Sequence, residues 1–97
     1  MMKKAIIYVR GHNQEMQEVL CRVHAADKGY KILFVTTDLE TINNCDVLLV
    51  SHISRITRKY YDYLHITKKF KEKGIEIESI SSPKNVEETL WLREIIK

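Results

Sequence analysis

The sequence predicts a single three-layer α/β domain built on a mostly parallel four-stranded sheet. Three observations carry that prediction. Short, uninterrupted apolar runs rich in β-branched residues recur along the chain, as they do in strands covered on both faces. Stretches with apolar residues at helical spacing lie between them, which gives the strand and helix alternation of a sheet sandwiched by helices. Finally, 97 residues with one Pro and three Gly provide one core, without the length for a second domain or the composition of a disordered or repetitive chain.

Ala5-Ile6-Ile7-Tyr8-Val9 is the first strand. Asn13 stands where a helix N-cap belongs, Met16, Val19, Leu20 and Val23 follow at helical spacing, and Gly29 occupies the place of a left-handed C-terminal residue. Ile32-Leu33-Phe34-Val35 and Val47-Leu48-Leu49-Val50 are the second and third strands. A second helix runs from about Thr57 to Lys73, with Tyr60, Leu64, Thr67 and Phe70 on one stripe and Gly74 as its stop. Ile75-Glu76-Ile77-Glu78 alternates apolar and acidic residues, which suits a fourth strand at the border of the sheet. Ser81-Ser82-Pro83 breaks the chain, Asn85 and Glu88 make a capping box, and Val86, Leu90, Trp91, Leu92, Ile95 and Ile96 mark a terminal helix over about 84–96. Its wide apolar arc fits packing on the home sheet or docking on another subunit. Residues 1–97 therefore read as one Rossmann-like unit with no separate DNA-binding domain.

The longest apolar run, Ala5 to Val9, is far short of the roughly 18 residues a membrane span needs. It also ends at Arg10 without a signal-peptide cleavage site, so a soluble, cytoplasmic protein is expected. Cys21 and Cys45 are distant in sequence and set in apolar surroundings; reduced, core-filling thiols are expected rather than a disulfide. His12, His24, His52 and His65 lack ligand spacing, and the chain has no CxxC, GxGxxG or GxxxxGK[ST]. Neither a metal nor a cofactor is expected.

Right-handed crossovers restrict the strand order. With the second and third strands on opposite sides of the first, the ligand crevice opens between the carboxyl ends of the first and third. Those ends carry Arg10-Gly11-His12-Asn13 and Ser51 to Arg58, so Arg10, Arg55 and Arg58 converge beside a helix start. Guanidinium forks match phosphate, and a helix N-terminus favours anions. In the plainer alternative Arg55 and Arg58 only cover the helix start and Arg10 caps a strand end, an arrangement that the helix dipole opposes. Residues 55–73 hold seven Lys and Arg against Asp62 and Glu72, with Tyr60, Tyr61 and Tyr63 interleaved. That pattern fits a nucleic-acid face or an ordinary solvated helix.

At these residues the chain resembles the catalytic domain of serine recombinases, the resolvase and invertase family, over about residues 4–80. Tyr8-Val9-Arg10-Gly11-His12-Asn13 follows the frame of that family's Tyr-x-Arg-x-Ser-Thr motif, with His12 at the nucleophile position. Ser54-Arg55-Ile56-Thr57-Arg58 is similar to its Asp-Arg-Leu-Ser-Arg motif, with Ser54 at the aspartate position. Lys71-Glu72-Lys73-Gly74-Ile75 looks like the Lys-Glu-Lys-Gly-Val stretch that leads into the fourth strand. Between Val35 and Val47 the family usually has a longer segment with a helix, and only Thr36 to Asp46 stands here.

Members of that family cut DNA by attack of the motif serine on a phosphodiester while arginines hold the phosphate. The resemblance implies phosphate binding by Arg10, Arg55 and Arg58, with Asp38 matching an acidic residue after the second strand and Lys59 adjacent to the site. It implies a resolvase-like domain related to DNA recombination, without the serine nucleophile, and assigns no catalytic residue. Weak, sequence-independent DNA binding is expected. Homodimerisation or association with a full-length recombinase is the expected protein partnership, and relocation of the nucleophile to Ser51, Ser54 or His12 is the enzymatic alternative.

Overall fold

The computed structural model describes residues 2–80. It contains strand β1 (Lys4–Tyr8), helix α1 (Gln14–Lys28), β2 (Lys31–Thr36), β3 (Val47–Val50), α2 (Tyr60–Glu72) and β4 (Glu76–Ser79), with short 3-10 turns at Leu39–Thr41 and Ile53–Arg55. The four strands form one all-parallel sheet in the order β2-β1-β3-β4. This is the three-layer α/β domain the sequence predicts. The terminal helix over 84–96, with Trp91, lies outside the described residues.

The central strands are as the apolar runs suggest. Ala5, Ile6, Ile7 and Tyr8 of β1 and all four residues of β3 are buried, because each face of the sheet carries a helix. On one face Ile6, Tyr8, Leu48 and Val50 pack with Ile42, Ile56, Phe70 and Ile75 under α2. On the other, Ala5, Ile7, Val47 and Leu49 pack with Cys21 and Ala25 of α1. Each large aliphatic side chain buried in this way contributes about 1.5–3 kcal/mol. Both cysteines are buried and free.

Both helices end by the same local device. Gly29, at φ 75°, ends α1; Tyr30 N–H donates to Ala25 O at 2.8 Å and Gly29 N–H to Ala26 O at 3.2 Å. At the end of α2, Ile75 N–H donates to Phe70 O and Gly74 N–H to Lys71 O, both at 2.9 Å. These paired bonds satisfy the last carbonyls and turn the chain back into the sheet, with Tyr30 and Ile75 folded onto the core.

The structure corrects several sequence expectations. The sheet-facing residues of α1 are Gln17, Cys21 and Ala25; Met16, Val19, Leu20 and Val23, whose spacing marks the helix, are all exposed. Asn13 does precede the helix, but in a left-handed conformation and without a side-chain capping bond. Strand β2 is an edge strand, not one covered on both faces. Its pairing with β1 skips Leu33, and Leu33 and Phe34 are exposed, because only the 3-10 turn Leu39–Thr41 fills the connection to β3. Helix α2 starts at Tyr60 rather than Thr57, and of its expected stripe only Phe70 is fully buried while Leu64 is exposed. Strand β4 starts one residue late, at Glu76, and sits at the border as the alternation suggests.

Candidate functional site

The strand order places the topological switch between β1 and β3, and the segments that leave their carboxyl ends frame an open crevice of about 530 Å³ lined by Arg10, Gly11, Ser54, Arg55, Thr57, Arg58, Lys59 and Asp62. One side is built by the 3-10 turn after β3. Ile53 and Ile56 are buried and anchor that turn in the core, which leaves Ser54, Arg55, Thr57 and Arg58 to line the crevice. His52 caps the turn by accepting the Ser54 N–H on Nδ1 at 3.1 Å, and the Ser54 hydroxyl stands 2.7 Å from the same nitrogen. The start of α2 borders the floor: Lys59 occupies the N-cap position without a side-chain cap, and Thr57 Oγ1 accepts its N–H at 3.1 Å.

The other side is the β1–α1 loop. It is held by Gln17, a buried amide on the first turns of α1. Gln17 Oε1 accepts the Arg10 N–H at 3.0 Å, while its Nε2 donates to Arg10 O at 2.8 Å and His12 O at 2.7 Å. One side chain thus fixes the backbone on both sides of Gly11. Gly11 itself has φ 78°, and a Cβ there would meet Arg55 Nη1 at 3.2 Å. The two sides are joined directly, since Arg55 Nη1 donates to Arg10 O at 3.3 Å.

Four cationic side chains and one carboxylate therefore line the crevice. With a helix N-terminus at its edge, the field favours an anion, and guanidinium geometry favours an oxyanion such as phosphate. Arg10, Arg55 and Arg58 line one crevice, and Lys59 and Ser54 line it with them. His12 sits in the exposed β1–α1 loop and is not among the lining residues. Asp38 is elsewhere: its Oδ1 accepts the Glu40 N–H at 2.9 Å and caps the 3-10 turn after β2. In the sequence Asp62 reads only as helix charge, yet it lines the crevice, and the one signal of Gln17 is its i, i+4, i+8 relation to Cys21 and Ala25.

Outside the crevice, Glu78 of β4 bonds His24 Nε2 at 2.5 Å and the Tyr30 hydroxyl at 3.1 Å. Burial, and then the Glu78 charge, raise the Tyr30 phenol above its ordinary value. Burial, reinforced by Glu18, pushes the Cys21 thiol up to about 12, and burial with Asp46 raises Cys45. Among the described residues no cluster of His, Cys, Asp and Glu has the makings of a metal site, and no helix is long and apolar enough to cross a membrane.

The model of the family "Resolvase, N terminal domain" matches residues 35–93. The chain belongs to the resolvase family. The matched span holds Arg55 and Arg58 and begins after Arg10 and His12. In three dimensions the resolvase domain is similar to the C-terminal catalytic domain of ISC1926 TnpA, an IS607-like serine recombinase, at 25% identity and a TM-score of 0.65, covering 96% of this chain and 80% of that one. No curated protein sequence matches it. The resolvase domain is thus a serine-recombinase-like domain of the kind related to site-specific recombination.

Proposed function

We propose that the crevice of this resolvase domain binds the phosphodiester backbone of DNA through Arg10, Arg55 and Arg58, with Lys59 beside them, and that the domain works without a serine at the motif's nucleophile position, which His12 occupies. The observation that carries this reading is the meeting of three guanidinium groups from two separate segments at the switch point. Phosphate contacts position a protein on DNA without reading sequence, so binding is weak and indifferent to sequence. With about three to five phosphates engaged, the logarithm of the binding constant falls against log salt with a slope of about −3 to −5. Replacing Arg55 and Arg58 by Ala flattens that slope by about two. Isotherms unchanged by the double substitution, or tight preference for one sequence, would overturn the reading.

One observation favours a second, enzymatic reading: Ser54 lines the same crevice with its hydroxyl 2.7 Å from His52 Nδ1. There, Ser54 Oγ would attack phosphorus, its proton would pass to His52 Nδ1, and a DNA strand oxygen would leave with the P–O bond broken and a phosphoserine formed. The same contacts cap the 3-10 turn, so the pair has a structural role in either case. Incubation with supercoiled plasmid followed by denaturing electrophoresis separates the readings. No covalent adduct is expected under the first; an adduct that Ser54→Ala abolishes establishes the second.

A further inference from the structure

Helix α2 starts at the crevice and carries a line of side chains that the phosphate site does not use. Arg58, Lys59 and Asp62 line the crevice, while Tyr61, between them in sequence, turns outward and is 78% exposed. His65 and Lys68 follow at i+4 and i+7, both exposed, so the three stand on one line about 10 Å long. The Tyr61 ring is braced rather than loose: half-buried Tyr60 lies against it, with ring centroids 5.9 Å apart and planes inclined by 58°. We propose that one unpaired strand of DNA runs from the crevice onto this line, with a base stacked on the Tyr61 ring and a neighbouring phosphate beside Lys68.

Stacking selects this form of DNA. Within a duplex the faces of each base are covered by its neighbours, so an aromatic ring on a protein surface reaches them only where a strand is unpaired. A duplex would meet Tyr61 with its sugar and phosphate edge and gain nothing from the aromatic face. Charge favours a polyanion along the same line. Lys68 continues the cationic surface that Arg58 and Lys59 begin, while Lys69 is drawn aside to Glu40 at 3.7 Å. Glu72 takes the next place on the line, at i+11 from Tyr61, and its carboxylate ends the stretch that attracts phosphate. A protein partner fits less well: the line offers a phenol, an imidazole and an ammonium, and Leu64 is the exposed aliphatic residue on its flank. The inference rests on the reading of the crevice as a DNA phosphate site and adds the form of DNA that the site takes.

Fluorescence anisotropy of the full chain at low salt, with a labelled oligothymidylate and with a duplex of the same length, reads the preference. The single strand is expected to bind roughly tenfold tighter, the margin that one stacked base supplies. Tyr61→Ala removes that margin and leaves duplex binding and the circular dichroism spectrum unchanged, since the residue is exposed; Tyr61→Phe keeps the ring and the margin. A strand carrying 5-iododeoxyuridine is expected to cross-link to Tyr61 on irradiation, with the adduct located by mass spectrometry. Replacing Arg55 and Arg58 by Ala weakens both forms of DNA. Binding of both forms that ignores the arginine substitutions overturns the reading of the crevice and this inference with it. Binding that needs the arginines overturns this inference alone if it is equal for the two forms, indifferent to Tyr61→Ala, or without an adduct at Tyr61.

Discussion

Gln17→Ala tests the clamp on the β1–α1 loop. The substitution removes three hydrogen bonds, at 3.0, 2.8 and 2.7 Å, and strands the Arg10 N–H and the Arg10 and His12 carbonyls. A protein hydrogen bond is worth about 1 kcal/mol net, and an orphaned buried group costs about 1–3 kcal/mol. Arg10 and His12 are exposed, so water reaches part of the loop and repairs some of the loss, which leaves about 2 kcal/mol. For a domain of this size that lowers the melting temperature by roughly 10 °C. Gln17→Glu is the sharper probe. It keeps an acceptor for the Arg10 N–H but turns a second carboxylate oxygen toward two carbonyls, so at neutral pH it destabilises more than Ala. Its burial raises the carboxyl pKa in the folded state, so the deficit shrinks as pH falls and the group protonates. Urea unfolding of both variants at pH 5 and pH 7 gives the comparison. A loss under about 0.5 kcal/mol for Gln17→Ala, or a Glu variant equal to wild type at neutral pH, would refute the reasoning.

Gly11→Ala and Gly29→Ala share a left-handed strain of about 1–2 kcal/mol. Only the Cβ at Gly11 meets Arg55, since that at Gly29 has nothing within 4 Å, so both variants lose stability in chemical denaturation but only Gly11→Ala weakens phosphate binding. Glu78→Gln weakens the bonds to His24 and Tyr30, costs about 1 kcal/mol, and brings the Tyr30 phenol closer to its ordinary value in an ultraviolet phenolate titration. Cys21 and Cys45 have raised folded-state pKa values, so their contribution to stability is complete below the unfolded thiol range near 9 and is lost as pH rises, for Cys21 toward about 12. Native thiols are therefore expected to resist alkylation at pH 8 and to react fully in denaturant.

How far the sequence speaks depends on what each residue has to do. Strands β1 and β3 are legible because both of their faces are covered, so nearly every residue is apolar. The arginine crevice is legible because topology fixes where strand ends meet and two short motifs carry the cations to them. Helix α1 misleads, because the residues that touch the sheet are small or polar: Cys21 and Ala25 allow close approach and Gln17 serves the loop, while the conspicuous aliphatic residues face outward. Strand β2 misleads for a related reason. Its apolar run matches a buried strand, but the short connection through Leu39–Thr41 leaves Leu33 and Phe34 exposed, and coverage of a face is not encoded in the strand itself. Gln17 escapes detection because a glutamine on an amphipathic helix ordinarily faces solvent.

The order β2-β1-β3-β4 has a consequence for how the chain assembles as it is made. β1 is one of the two interior strands and the first of the four to emerge, yet no neighbour exists for it until β2 follows. Parallel pairing admits no hairpin, so the β1–α1–β2 unit is the smallest piece able to cover any part of that strand. From there growth is strictly outward: β3 adds to the free side of β1, and β4 adds to β3, each in the order in which it is synthesised. No strand has to insert between two already placed. A sheet laid down in this sequence passes through open-edged intermediates but requires no rearrangement of earlier pairings, which suits folding in step with synthesis.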